Sequence, residues 1–274
     1  MKKIIISFII ILLIACSCDP NTDSEKLKPI PIDIYALMGQ SNMVGCDSTP
    51  LYRDINNDIL YLTTSNEIKI VENDLWSPYI ESLYPGIQVS QNYTLGIGFA
   101  DTIYDENKIL LIPCARGASS IYEQIYPNQT GWGGVIYEDS LLDECINRID
   151  IALGIKGPFF DPKLKGVLYY QGESDSNRYE EWENGMLILI DTLEAKYENF
   201  KFVFAQLCRV EIDNIEKNNE INTIFDEFKI NQTKFSKTYG YDMVITEDLK
   251  LSHDGIHLTS ESLKIIGERF AEKF

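Results

Sequence analysis

The sequence predicts one α/β domain built on a mostly parallel sheet with helices on both faces, and three observations predict it. Short apolar runs alternate along the chain with longer stretches that have helical spacing. The runs are apolar at nearly every position rather than every second one, as in strands covered on both faces. Several of them stop on small or polar residues, and in an open α/β sheet the carboxyl ends of the strands border the crevice where ligands bind.

Taken in order, the first such run is Ile32 to Met38, and it stops on Gly39-Gln40-Ser41-Asn42. Strand-like pieces follow at 59–62 and 68–71 inside a region rich in Asp, Asn, Pro and Tyr. A short helix is expected over 95–104 and a strand over 108–113 that ends on Cys114-Ala115-Arg116-Gly117. Residues 135–153 have helical spacing, 165–170 read as a buried strand, and 178–197 carry Trp182, Met186, Leu189, Ile190 and Leu193 three and four apart. A strand at 201–207, a helix at 221–239, a strand at 243–245 and a closing helix at 260–274 complete the alternation.

The chain divides into three parts: 1–15, 16–31 and 32–274. Lys2 and Lys3 precede a stretch from Ile4 to Ala15 that is apolar except for Ser7, the pattern of a signal peptide. It is too short for the roughly 20 residues of a spanning helix. Leu13-Ile14-Ala15-Cys16 resembles a bacterial lipobox, which implies cleavage before Cys16, lipid attachment there, and a protein tethered to the membrane outside the cytoplasm. The polar segment up to Pro31 reads as a flexible tether. The remaining residues, about 245 of them, suffice for one sizeable core.

The full chain has 24 basic and 42 acidic residues, and losing Lys2 and Lys3 leaves 22 against 42, a net charge of −20. Such a surface excludes a nucleic-acid partner, because binding phosphates needs clustered positive charge. It favours neutral substrates, unless a local basic pocket overrules the mean field. Six cysteines, at 16, 18, 46, 114, 145 and 208, have no zinc-like spacing and name no disulfide pair. Cys114 and Cys208 each end an apolar run and read as small buried hydrophobes.

The chemistry-bearing residues follow the strands. Ser41, at a strand-to-helix turn, is the candidate nucleophile, and first-turn N–H groups there can stabilise negative charge developing on an attacked carbonyl. Gly117 ends another strand, where a glycine can adopt positive φ and lets an oxyanion approach its N–H. Only two histidines exist, His253 and His257. A serine needs a base. In Asp254-Gly255-Ile256-His257 the carboxylate precedes the imidazole by three residues, a spacing that can bring it onto Nδ1 and leave Nε2 for the serine. The histidine pair lacks a third ligand, so no metal is expected.

Gly39-Gln40-Ser41-Asn42, Cys114 to Ile121, Tyr170-Gln171-Gly172-Glu173-Ser174-Asp175 and Asp254-Gly255-Ile256-His257 together resemble the four ordered blocks of an SGNH hydrolase, and more narrowly the sialate O-acetylesterase and acetylxylan esterase branch, carbohydrate esterase family six. The resemblance covers 32–274. It implies a flavodoxin-like three-layer α/β/α sandwich and a serine esterase that removes O-acetyl groups from carbohydrate without a cofactor. It also implies a triad of Ser41, His257 and Asp254, with oxyanion donors from the N–H groups of Ser41 and Gly117 and the side chain of Gln171. The wider superfamily tends to have asparagine at the position of Gln171.

Gln40, Asn42, Arg116, Glu173 and Trp132 are further candidates for substrate binding. Arg116 reads equally as a structural ion-pair partner, Glu173 as an orienting group for a histidine or a sugar hydroxyl or as that partner, and Trp132 as a sugar platform or a core plug. Two rival functions stand beside the acetylesterase: a lipase or lysophospholipase on the same scaffold, and a non-catalytic glycan-binding lipoprotein.

Overall fold

The computed structural model describes residues 28–46, 59–71, 93–121, 132 and 140–274. The signal, Cys16 and most of the tether lie outside them. One seven-stranded sheet runs through the molecule in the order β3-β2-β4-β1-β5-β6-β7. Its strands are β1 (Ile30–Gly39), β2 (Ile59–Leu62), β3 (Ile68–Ile70), β4 (Lys108–Pro113), β5 (Phe160–Tyr170), β6 (Lys201–Ala205) and β7 (Asp242–Val244). Only β3 runs antiparallel, against β2.

β1 sits at the centre, paired in parallel with β4 on one side and β5 on the other. Its side chains alternate between two cores. Ile32, Ile34, Ala36 and Met38 join one cluster, whereas Tyr35 and Leu37 join the other. The first core is closed by α3 (Leu141–Leu153), α4 (Tyr179–Lys196) and α5 (Ile215–Tyr239), and the second by α2 (Leu95–Ile103) and α6 (Ser260–Ala271). A short α1 (Ser41–Val44) leaves the end of β1. The three layers follow from strands that are apolar on both faces.

Several elements begin earlier than their apolar spacing indicates. β1 starts at Ile30, inside the expected tether, because the Ile30 N–H donates to the Phe159 carbonyl at 2.8 Å. β5 starts at Phe160 rather than 165, continuing the pairing with β1 through residues of alternating exposure. α5 starts six residues early because the Asn214 side chain caps it, accepting the Lys217 N–H at 3.0 Å, while its first turn holds one exposed apolar residue, Ile215, and gives no periodic signal. α3 is likewise capped by Ser140. Cys114 and Cys208 are buried, and with Cys46 and Cys145 they are free thiols.

Candidate active site

β1, β4 and β5 are adjacent and parallel, so Gly39-Gln40-Ser41, Cys114 to Gly117 and Gln171-Gly172-Glu173 emerge side by side from their carboxyl ends. Main-chain hydrogen bonds lock the three turns together. The Gln40 N–H donates to the Tyr170 carbonyl and the Arg116 N–H to the Gly39 carbonyl, each at 3.0 Å. Gly39 has φ of 140°, and a Cβ there would lie 2.1 Å from the Tyr170 oxygen. Glycine is therefore required for the chain to turn so close to β5.

Ser41 is the first residue of α1, half-buried, and neither its N–H nor that of Gly117 has a partner among the described residues. A Cβ built on Gly117 would lie 4.0 Å from the Ser41 Cβ. Ser41 and Gly117 therefore lie side by side. Positive φ, expected at Gly117, occurs instead at Ala118, where φ is 55°. A Cβ at 117 would make ordinary contact with Ser41 alone, so any longer side chain there would start beside the serine.

His257 lies on the loop before α6. Its Nδ1 is 2.5 Å from Asp254 Oδ2, and the other carboxylate oxygen accepts the N–H groups of Ile256 and His257 at 2.8 and 2.9 Å. Burial tends to raise the Asp254 pKa, but the His257 and Ile256 N–H groups and the imidazole outweigh it and hold the carboxyl below its ordinary value. The aspartate stays ionised and fixes the imidazole with Nε2 free. Gly255, with φ of 67°, makes the loop possible, since a Cβ there would lie 1.8 Å from the Glu211 carbonyl. His253, by contrast, is exposed.

Asn42 connects the two halves. Its Oδ1 accepts the Leu258 N–H at 3.0 Å, and its Nδ2 donates to Glu173 Oε1 at 2.9 Å. The residue after Ser41 is thereby tied to the residue after His257 and to the turn after β5. Asn42 is buried with both ends of its amide engaged, so it is a strut rather than a substrate ligand. Glu173 keeps one oxygen, Oε2, buried without a protein partner. Burial pushes the Glu173 carboxyl above its ordinary value against the lowering effect of Asn42.

Four other candidates are buried. The Gln171 side chain is fully buried, and its Nε2 donates to the Ser119 carbonyl at 3.2 Å and to Asp175 Oδ2. Both amide protons are committed inside the protein, which runs against the oxyanion role implied for this side chain. Trp132 has no exposed surface: it packs edge-on against Tyr169 and donates its indole N–H to Ser119 Oγ at 3.0 Å. Its faces are closed to a sugar, and it is a core plug. Gln40 and Arg116 are both 4% exposed, so their side chains line the interior beneath the turns.

The residue that sequence reasoning passed over is Asp175. Its carboxylate accepts from Ser120 Oγ, the Ile121 N–H and Gln171, and it lies 3.7 Å from Arg178. It joins the loop carrying Gly117 to the turn after β5. An acid four residues beyond Gln171, in the same short block as Glu173, was the available signal. Among the described residues, no group of three His, Cys, Asp or Glu side chains is placed to hold a metal, and no helix is long and apolar enough to cross a membrane.

The chain is 25% identical over 282 residues to a probable carbohydrate esterase of Arabidopsis thaliana, covering 94% of this chain and 96% of the relative. Among solved structures, an Arabidopsis thaliana protein superposes with a TM-score of 0.66 at 21% identity, covering 88% of this chain and 96% of the other. The structure of NanS superposes with a TM-score of 0.59 at 16% identity, covering 90% of this chain and 97% of NanS. Est24, a carbohydrate acetylesterase from Sinorhizobium meliloti, superposes with a TM-score of 0.50 at 15% identity, covering 89% and 97%. These structures share the fold, and the family model of a carbohydrate esterase, sialic acid-specific acetylesterase, matches residues 31–274. A sheet that delivers three turns to one crevice and a model matched over nearly the whole domain lead to one conclusion: the chain belongs to this carbohydrate acetylesterase family.

Proposed function

We propose that the chain removes O-acetyl groups from carbohydrate by an acyl-enzyme mechanism on Ser41, His257 and Asp254. One observation carries this reading: the Asp254–His257 pair, 2.5 Å apart, sits on a loop whose next residue is bonded to the side chain following Ser41. Nε2 of His257 takes the Ser41 hydroxyl proton as Oγ forms a bond to the acetyl carbon. The tetrahedral oxyanion is met by the N–H groups of Ser41 and Gly117. Collapse breaks the bond to the sugar oxygen, which takes the proton from His257 as it leaves. Water, deprotonated by the same imidazole, then attacks the acetyl-serine and releases acetate.

The substrate is an acetylated glycan of the xylan or sialic acid type, in keeping with an anionic protein that has no basic stripe for nucleic acid. We further propose that Cys16 carries a lipid that holds the enzyme at the cell envelope. Acetate release from acetylated xylan and from O-acetylated sialic acid tests the first reading. Ser41→Ala and His257→Ala are each expected to lower it by about 10³-fold or more without unfolding the protein. Release surviving in either variant overturns the assignment, and faster turnover of octanoyl than acetyl nitrophenyl ester moves it to the lipase class. Cys16→Ala should shift the protein from the membrane to the soluble fraction, and unchanged fractionation refutes the anchor.

A further inference from the structure

A cavity of about 370 Å³ lies beside the His257 loop, between the turn after β5, the segment after β6 and α5, and it borders the candidate triad. A second, of about 460 Å³, opens at the other end of the sheet. Asp33 and Tyr35 of β1 line it, with Asn107 just before β4, Lys165 of β5, and Phe274. Asp33 lies six residues before Gly39 on the same strand, about 20 Å from the turn that carries Ser41. No residue of the candidate triad lines this second cavity.

A break in the β1–β5 register shapes this end of the sheet. Ile34 pairs with Leu164 but Tyr35 pairs with Gly166, so Lys165 is an extra residue on β5. Such a bulge re-aims side chains. Lys165 lines the cavity, and Gly166 leaves room for the Phe274 ring, since a Cβ there would lie 2.2 Å from it. That ring packs edge-on against Tyr35 with centroids 5.4 Å apart and stays 39% exposed.

Three polar groups of the cavity are not spent within the protein. Tyr35 is 4% exposed, yet its hydroxyl has no hydrogen-bond partner among the described residues. Burial, with Asp33 and Asp105 nearby, pushes that hydroxyl above its ordinary value, so it stays a protonated donor. Lys165 is exposed and forms no ion pair among the described residues. Asp33 accepts the Asn107 amide on Oδ2 at 3.0 Å and keeps Oδ1. Lys201, by contrast, is held by Asp242 at 2.7 Å and by the Lys273 carbonyl.

The charges decide what fits. The carboxylates of Asp33 and Asp105 repel an anion and the ammonium groups of Lys165 and Lys201 repel a cation, so the cavity suits a neutral ligand. A free O–H, a free ammonium and a free carboxylate oxygen side by side suit groups that both donate and accept. The hydroxyls of a sugar ring do so, and its C–H surface packs on an aromatic ring such as Phe274.

We propose that this cavity is a second, non-catalytic carbohydrate-binding site that holds a neutral sugar unit of a polymer on the Tyr35 hydroxyl, Lys165 and Asp33, with the apolar surface of the sugar on Phe274. Native gel electrophoresis of the protein through unacetylated xylan and through soluble β-glucan tests it. At least one of the two polymers should retard wild type. Tyr35→Phe removes one unpartnered hydroxyl and Lys165→Ala one exposed ammonium, and each should raise the apparent Kd by about fivefold. Hydrolysis of nitrophenyl acetate should stay within about twofold of wild type in both variants, and so should show that they are folded. No retardation by either polymer, or retardation that survives either substitution, overturns the site. Stronger retention by carboxymethylcellulose than by the neutral polymers overturns it too, as does a parallel loss of binding and hydrolysis. Absence of hydrolysis in wild type counts against the esterase reading alone, and unfolding midpoints then report on the fold of the variants.

Discussion

Asn42→Ala isolates the strut that joins the two halves of the site. The substitution removes an amide that is 2% exposed and leaves two groups without it: the Leu258 N–H, 3.0 Å away, and Glu173 Oε1, 2.9 Å away. Each buried group left unpaired costs about 1–3 kcal/mol, so the protein should lose about 2–6 kcal/mol of stability. The larger consequence is geometric. Leu258 follows His257 directly, and releasing it frees the imidazole relative to Ser41. A misplacement that adds about 1.4–2.8 kcal/mol to the barrier lowers kcat by about 10- to 100-fold.

The assay is steady-state acetate release with urea denaturation alongside. Because Asn42 touches the loop and not the substrate, kcat should fall while KM stays within about threefold. Asn42→Asp separates the two bonds. It keeps an oxygen for the Leu258 N–H but sets a carboxylate against Glu173, so kcat should fall less than in the alanine variant, while stability at neutral pH falls and recovers on acidification. An Asn42→Ala enzyme with kcat within twofold of wild type and an unchanged urea midpoint would refute the reasoning.

Three further predictions rest on single observations. Gly255→Ala forces a left-handed backbone and a Cβ 1.8 Å from the Glu211 carbonyl, so the loop must move; a drop in kcat of at least about tenfold with a lowered melting temperature is expected, checked by kinetics and thermal melts. Trp132→Ala empties a fully buried site and should cost about 3–5 kcal/mol in urea unfolding, with KM for any acetylated sugar unchanged in the residual folded enzyme. A large rise in KM at undiminished stability would restore the sugar-platform reading. Glu173 has a raised pKa, so the folded state binds its proton more tightly than the unfolded one, and stability rises as pH falls from neutral through the folded value. Wild type should therefore gain more stability than Glu173→Gln between pH 7 and pH 5 in urea titrations; equal gains would contradict it. Asp254, whose carboxyl is held low, has the opposite sign: its contribution is present above the ordinary aspartate pKa and lost as pH falls through the lowered folded value.

Local chemistry made much of this protein readable before any coordinates. The nearly continuous apolar character of Ile32 to Met38 announced a strand buried on both faces, and the structure makes it the central strand of the sheet. The three-residue offset in Asp254-Gly255-Ile256-His257 sufficed to predict the pair, because so short a loop with one flexible residue leaves the carboxylate few other partners. Pattern within a single segment carries this kind of information.

What the sequence could not decide was where side chains point once segments meet. Gln171 follows a buried strand like the other site residues, yet its amide turns inward because Asp175 and the Ser119 carbonyl offer better partners than solvent. Trp132, flanked by glycines, read either as a sugar platform or as a core plug, and its packing on Tyr169, nearly 40 residues away on a strand, makes it the plug. The Asn42 strut joins residues 131 and 216 positions apart, and the cavity beside His257 is assembled from three separate loops and a helix. Periodicity and turn chemistry are properties of neighbours in the chain, whereas the orientation of a polar side chain is set by whichever donors and acceptors folding brings within about 3 Å of it, and only the tertiary structure determines those.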